Sequence, residues 1–410
     1  MPDRAFAAHP VVEGSGRLHR FGIVKHEILG MGFQIVVHPA LLAPLSFFIA
    51  LYNRLSNMTP MANPLFPATA DAITPLWMEQ ALSARFPGTR IATIKLTTFI
   101  DGTAQKMRYE IAYETRPDGA PASLWTKGGF DPKGASQGDA FANEVRFFRD
   151  ISPDLSINLP DCYFGAIDPL SNNGVVLLED LTARGASFGR ATIPLTPEQA
   201  AAVLTAQAQC HAYFWQGYGK KPPRWLRPGG AIAATGMVDQ YFGLWDGAAP
   251  RPRFAHLTAG QRDRDRMRRA LNRLMDDLRT RPICLLHGDP QHGNLFFDPG
   301  GRPGYLDWQH CMLGVWAFDV AGFLVTALTV PDRRSHERDL LAHYLTALGA
   351  AGVGAPAFED AWADYARYAM WGFMWAMCPV DAHPEEICSS NTERACTAMS
   401  DLDTVRLLAS

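Results

Sequence analysis

At 410 residues, with 47% hydrophobic and 19% charged side chains, the chain is long enough for two lobes or domains, each with its own core. A formal net charge of −3 gives no electrostatic basis for nucleic acid as a partner. Seven cysteines without CxxC spacing argue against a disulfide framework or a zinc site, and for a reduced, cytoplasmic setting.

Residues 1–57 differ from the rest and read as an N-terminal extension, disordered or outside the native protein, with Met58 or Met61 as the functional start. Within them, residues 31–52 carry no charged side chain, a stretch long enough to cross a bilayer as a helix, and Arg17, Arg20 and Lys25 precede it. His38, Pro39 and Pro44 weaken a helix there, so a membrane is expected as a partner only if 31–52 is a real anchor.

Thr74-Pro75 opens a helix, with a capping threonine and a first-turn proline, that runs through Trp77, Leu82 and Phe86 to Gly88. Strand-like runs follow at 91–100, 107–114 and 123–130, giving a helix and then an antiparallel sheet. Between the first two runs, Asp101-Gly102-Thr103-Ala104-Gln105 is a turn with a single glycine. Residues 138–151 carry Phe141, Val145 and Phe148 at helical spacing and stop at Ser152-Pro153. Glu144 lies one position from that stripe, so it can point toward the sheet and pair with Lys127 at the end of the third run. Residues 174–178 are a buried strand leading into Glu179-Asp180-Leu181, where Asp180 can cap the next turn.

A helix from Thr196-Pro197 opens the second half, with Leu195 as an apolar staple and Thr196 and Gln199 as a capping box. His211, late on this helix, reads as a packing residue. Residues 261–279 mix arginines and aspartates around an apolar stripe of Met267, Leu271, Leu274, Met275 and Leu278, a solvated helix rather than a nucleic-acid surface.

Residues 283–286 and 295–297 read as short buried strands, with His287-Gly288-Asp289-Pro290-Gln291-His292-Gly293-Asn294 in the loop between. Asp298-Pro299-Gly300-Gly301-Arg302-Pro303-Gly304 reverses the chain, and Gly304-Tyr305-Leu306-Asp307 returns as the partner strand. A hairpin centred near Gly300 and Gly301 places Asn294 beside Asp307. An amide oxygen next to a carboxylate suits a hard cation such as Mg2+. Asp289, on the same loop, can accept a proton from, or orient, an attacking hydroxyl. Together the three describe phosphoryl transfer, which is mostly positioning and charge neutralisation.

His287-x-Asp289-x4-Asn294 followed by Asp307 resembles the catalytic and metal segments of the aminoglycoside phosphotransferase and choline kinase-like group of small-molecule kinases, relatives of the protein kinases. The resemblance covers roughly residues 74–400. It implies an α+β, bilobal protein kinase-like fold, with a small antiparallel-sheet N-lobe over 71–181 that binds ATP. A mostly helical C-lobe over 182–410 would carry catalysis and the acceptor.

In that group the residue matching Asp289 is the catalytic base, those matching Asn294 and Asp307 bind Mg2+, and that matching His287 holds the loop in shape. Asp319, in Trp316-Ala317-Phe318-Asp319, matches an aspartate that braces the loop. The resemblance further implies that Gly102 and Thr103 lie in the phosphate-covering turn and that Lys127 touches the α- and β-phosphates. The backbone of Glu179 and Leu181 would read the adenine edge at the hinge. Two departures stand out: Pro290 follows the loop aspartate, and Asp307-Trp308-Gln309 replaces the protein-kinase Asp-Phe-Gly, a form that points to small-molecule kinases.

Residues 320–328, 335–348 and 358–377 read as helices, the last crowded with Trp362, Tyr365, Tyr368, Trp371, Phe373 and Trp375. Most of these rings are core residues, and the resemblance assigns some to the acceptor pocket. The tail from Asp381 has Glu385 and Glu386 but no dense acidic cluster for a polycationic antibiotic, so the expected acceptor is an amphipathic or apolar small-molecule alcohol. Two other readings stay open: a nucleotide-binding scaffold with little turnover, and a metal-dependent phosphate hydrolase using Asp289 and Asp307 as paired carboxylates.

Overall fold

The computed structural model describes residues 22–28, 31–37, 66–130, 139–217, 220–281, 284–379 and 382–409, and the chain divides into two units, Met1–Met61 and Ala62–Ser410. In the first unit, β1 (Gly22–Ile28) pairs antiparallel with β2 (Met31–Val37). The start of the 31–52 stretch is therefore strand and not helix, and 38–52 lie outside the described residues. Among the described residues no helix is long and apolar enough to cross a membrane.

The second unit begins with α1 (Pro75–Ser83), where the Thr74 hydroxyl accepts from the Trp77 N–H at 3.2 Å and Pro75 occupies the first turn. A five-stranded antiparallel sheet follows, built from β3 (Arg90–Asp101), β4 (Gln105–Thr115) and β5 (Ser123–Gly128), then, after α2 (Ala140–Asp150), from β6 (Cys162–Ile167) and β7 (Gly174–Glu179). The spatial order is β3-β4-β5-β7-β6. Strand alternation sorts the side chains: Met107, Tyr109, Leu124 and Leu177 join Trp77 and Leu82 of α1 in a small core. Lys106, Arg108 and Lys127 consequently share the other face. β6 escaped the sequence reading because Gly165 and a register shift between Cys162 and Phe164 interrupt its alternation.

The remainder is mostly helical. After β8 (Ser187–Phe188), α3 (Pro197–Ala212) starts at a complete capping box, Thr196 accepting from Gln199 N and Gln199 Oε1 accepting from Thr196 N. α4 (Met237–Gly243) and α5 (Arg264–Thr280) follow, the latter burying the expected Met267-to-Leu278 stripe. Four short strands then carry the loop of interest: β9 (Cys284–Leu286), β10 (Leu295–Phe297), β11 (Pro303–Tyr305) and β12 (Met312–Gly314). Next come α6 (Ala317–Ala327), buried on every side, and α7 (Val330–Ala350).

The expected single helix over 358–377 is corrected. α8 (Phe358–Tyr368) ends at Tyr368 and Ala369–Trp375 tightens into a 3-10 segment. That segment lies hard against α9 (Glu385–Asp401): a Cβ on Gly372 would sit 2.6 Å from the Ala395 Cβ, so only glycine allows the approach. The tail from Asp381 is thus largely helical, ending in α10 (Thr404–Ala409). The architecture is α+β, a small antiparallel sheet with its own core followed by a larger helical part.

Candidate active site

The loop grows out of a wholly buried strand. β9 pairs with β12, Leu286 opposite Met312, and the chain then turns through Gly288 at φ +85°. A Cβ there would lie 2.2 Å from the His310 carbonyl oxygen, so both the dihedral and the space require glycine. Asp319, buried on α6, accepts from the backbone N–H of His287 at 2.7 Å and of Gly288 at 3.1 Å. His211 stands 3.3 Å from Asp319 Oδ2 and 2.8 Å from the Tyr344 hydroxyl, so this packing residue also orients the brace.

His287 has one tautomer open to it. Its Nδ1 accepts from the Asp289 N–H at 3.2 Å, which places the proton on Nε2 and lets it donate to Leu306 O at 2.8 Å. The imidazole ties the start of the loop to the returning hairpin strand.

That hairpin has a register one residue away from the expected one. Leu295 pairs with Tyr305 and Phe297 with Pro303, and the Leu306 N–H donates to Asn294 O at 2.8 Å. Asn294 therefore lies opposite Leu306, not Asp307. The reversal is centred on Gly300 because Asp298 Oδ1 accepts from both Gly300 N and Arg302 N, making an odd-numbered loop. Asp307 follows at φ 68°, ψ 57°, a left-handed conformation unusual for a residue with a side chain. The strained residue turns the carboxylate out of the strand path.

Around Asp289, Asn294 Nδ2 donates to Asp289 Oδ2 at 2.8 Å and to Asp289 O at 2.9 Å, and Gln291 Nε2 donates to Oδ2 at 3.0 Å. A carboxylate only accepts, so the Asn294 nitrogen must face it. The Asn294 oxygen is then the end available to a cation.

Across the sheet, Lys127 sits 2.6 Å from Glu144 Oε2, with only 5% and 2% of the two side chains exposed, and it also bonds Asp307 Oδ1. Glu144 Oε1 accepts from the Trp308 N–H at 3.2 Å, and Trp308 stacks on Phe147 of the same helix. Burial pulls the Lys127 ammonium down, but the Asp307 and Glu144 carboxylates outweigh it and hold the group charged. Asp307 is driven the other way: burial raises its pKa, and Lys127 with Lys106 brings it well below the usual carboxylate range. Breaking such a buried pair leaves an uncompensated charge. Glu144→Gln is expected to lower stability by about 3 kcal/mol in denaturant unfolding, with Asp307 limiting the loss.

Lys106 was missed in the sequence. It lies opposite Lys127 in the β4–β5 register and reaches Asp307 Oδ2 at 3.0 Å. The signal was its place two residues before Arg108 on one strand face, but naming its partner required a contact 201 residues away. Arg108 itself binds Asp180 Oδ2, which also accepts from Ser123 Oγ at 2.6 Å, while Asp180 Oδ1 caps Thr182 N. Asp180 therefore does more than cap a turn: it ties β4 and β5 to the end of β7.

A cavity of about 780 Å3 holds Gly102, Thr103, Lys106, Asp289, Asn294 and Asp307 in its lining. The same cavity is lined by the apolar and aromatic side chains of Tyr241, Trp371, Met374, Trp375 and Ile387, alongside His383 and Glu386. Burial lowers the pKa of both His310 and His383, which border this space, favouring neutral rings. Glu179 and Leu181 are not in the lining. The Glu179 carboxylate accepts from Asp161 N and Arg184, and Leu181 O accepts from Arg184 N and Ala186 N.

The oxygen donors of Asn294 and Asp307 in one cavity fit a hard cation. Among the described residues no group of three or more His, Cys, Asp or Glu side chains could hold a metal. Mg2+ is usually held by one or two protein oxygens, with substrate phosphates completing its shell.

A five-stranded antiparallel sheet, a buried lysine–glutamate pair and a braced aspartate loop opening on one cavity define a phosphotransferase scaffold. Residues 137–371, more than half of the chain, match the phosphotransferase enzyme family, and the chain belongs to that family. That family is the APH family of phosphotransferase enzymes.

Among solved structures it is similar to a putative aminoglycoside phosphotransferase from Ralstonia eutropha, at 13% identity over 80% of this chain and 97% of that one, TM-score 0.43. It is also similar to choline kinase LicA from Streptococcus pneumoniae, at 13% identity over 79% and 98%, TM-score 0.44. A third is an ethanolamine kinase from Plasmodium vivax, at 11% identity over 76% and 83%, TM-score 0.45. No curated protein matches the chain.

Proposed function

We propose that this protein transfers the γ-phosphoryl group of ATP to a hydroxyl of a small amphipathic or apolar alcohol. What carries the reading is the convergence of Asp289, Asn294 and Asp307 on one cavity, with Lys127 bonded to Asp307. Lys127, fixed by Glu144, holds the α- and β-phosphates, and the backbone of Gly102 and Thr103 covers them. The backbone of Glu179 and Leu181, at and just after the end of β7 and outside the cavity lining, would read the base edge. Asn294 and Asp307 hold Mg2+, which supplies neutralisation of phosphate charge when bound.

The acceptor oxygen attacks the γ-phosphorus as the bond to the β–γ bridging oxygen breaks. Its proton passes to Asp289, and ADP departs with the bridging oxygen. Because two amides hold Asp289 Oδ2, Oδ1 is the oxygen left to take the proton. His287 and Asp319 keep the loop in place and touch no substrate.

Trp371, Trp375, Tyr241 and Met374 offer apolar area, with Glu386 a carboxylate among them, and this supports an amphipathic acceptor over a polycation. All seven cysteines are unpaired thiols, which supports a reducing compartment such as the cytoplasm.

The test is transfer from γ-labelled ATP with Mg2+ to three separate pools: amphipathic alcohols, short amino alcohols and aminoglycosides. Labelled phosphoester in the first pool is expected. Label released only as inorganic phosphate in every pool would favour the hydrolase, and transfer confined to aminoglycosides would overturn the acceptor class.

A further inference from the structure

We propose that Lys106 is a second phosphate-binding residue, parked on Asp307 in the free protein and handed to the γ-phosphate of the donor when a divalent cation arrives. The proposal rests on the phosphotransferase reading above and names a residue that reading does not need.

Both oxygens of Asp307 are occupied by ammonium groups, Oδ1 by Lys127 and Oδ2 by Lys106. Asp307 can receive a dication only if one of them gives way. The two lysines are not equally held. Lys127 is 5% exposed and has Glu144 as a second partner at 2.6 Å. Lys106 is 37% exposed, and Asp307 is its sole ion-pair partner among the described residues. Moving Lys127 would leave the buried Glu144 unpaired, whereas Lys106 has a solvated path away from Asp307, so Lys106 is the one displaced.

Position decides where it goes. Lys106 lines the cavity beside the Gly102–Thr103 turn, together with Asp289 and Asn294. The phosphoryl group that meets the acceptor must lie near Asp289, at the end of the phosphate chain away from the base. A flexible ammonium leaving Asp307 meets that group first. Charge is conserved in the exchange: the dication takes the place of Lys106 at Asp307, and the displaced lysine pairs with phosphate charge the nucleotide brings. Parking on Asp307 in the meantime keeps the carboxylate compensated without a metal.

The experiment compares wild type with Lys106→Met and Lys106→Arg, measuring Mn2+ binding without nucleotide by electron paramagnetic resonance, and ATP and ADP affinities by calorimetry. For Lys106→Met, tighter Mn2+ binding in the nucleotide-free protein is expected, by about tenfold, because a competing cation has gone. Its ATP affinity should fall about tenfold while ADP affinity holds, since only ATP carries the γ-phosphate. Lys106→Arg should restore most of the preference for ATP over ADP. A merely structural lysine would change melting temperature and move both nucleotides together.

An ATP-to-ADP affinity ratio in Lys106→Met equal to that of wild type, with unchanged Mn2+ binding, overturns the proposal and leaves the phosphotransferase reading standing. Wild-type protein that binds neither nucleotide would instead remove the reading on which it rests. If Lys106→Met fails to fold, Lys106→Gln carries the same comparison.

Discussion

Asp289→Asn should slow phosphoryl transfer by about 10²- to 10⁴-fold while leaving nucleotide affinity nearly intact. The amide has the shape of the carboxylate, and its oxygen can still accept from Asn294 Nδ2 and Gln291 Nε2, so the loop keeps its form. What it loses is a group able to take a proton from the acceptor hydroxyl. Single-turnover transfer from labelled ATP, alongside calorimetric ATP binding, separates the two effects. Turnover near the wild-type rate would take Asp289 out of the chemistry and shift attention to its neighbours.

The second large effect is expected at a residue that touches no substrate. Asp319→Ala strips the acceptor from the N–H groups of His287 and Gly288 and from the neighbouring His211 ring, all enclosed by the helical core. Each donor left buried and unsatisfied costs about 1–3 kcal/mol, so the urea midpoint should fall sharply. Turnover should fall as well, because the loop that positions Asp289 loses both of its backbone bonds to Asp319. Asp319→Asn keeps one accepting oxygen and should lie between the two. An Asp319→Ala protein with wild-type stability would mean the loop is held by His287 and Leu306 alone.

Local features of this protein were legible because their causes are local. Thr74 and Thr196 cap the helices that follow them, since a hydroxyl three residues from an N–H acts without help from elsewhere. The Met267-to-Leu278 stripe is buried as its period requires. The grouping of Asp289 with Asn294 is set by five residues of loop, and the spacing to Asp307 by one reversal. Even there the register slipped by one: whether a loop of prolines and glycines closes on an even or odd count depends on what the Asp298 side chain accepts, and composition does not specify that.

The aromatic segment after Phe358 shows the other limit. Six rings at helical spacing read alike in sequence, yet Tyr365, Tyr368 and Phe373 are fully buried whereas Trp371 and Trp375 border the cavity. The selection was made when the helix tightened at Ala369 to pass close to Ala395, a contact with a helix that begins after the segment ends.

By itself, the sequence determined several helices, among them those capped by Thr74 and Thr196, a majority of the strands, the reversal, and which side chains in the loop could serve phosphate chemistry, because periodicity, capping and turn chemistry act over a few residues. Only the tertiary structure decided that Asp307 is shared by two lysines, that His310 forces glycine at 288, and that His211 packs against the Asp319 brace. Those pairings join positions scattered along the chain, and no short-range rule encodes them. They arise when the sheet and the helical part close on each other and buried charges must find partners.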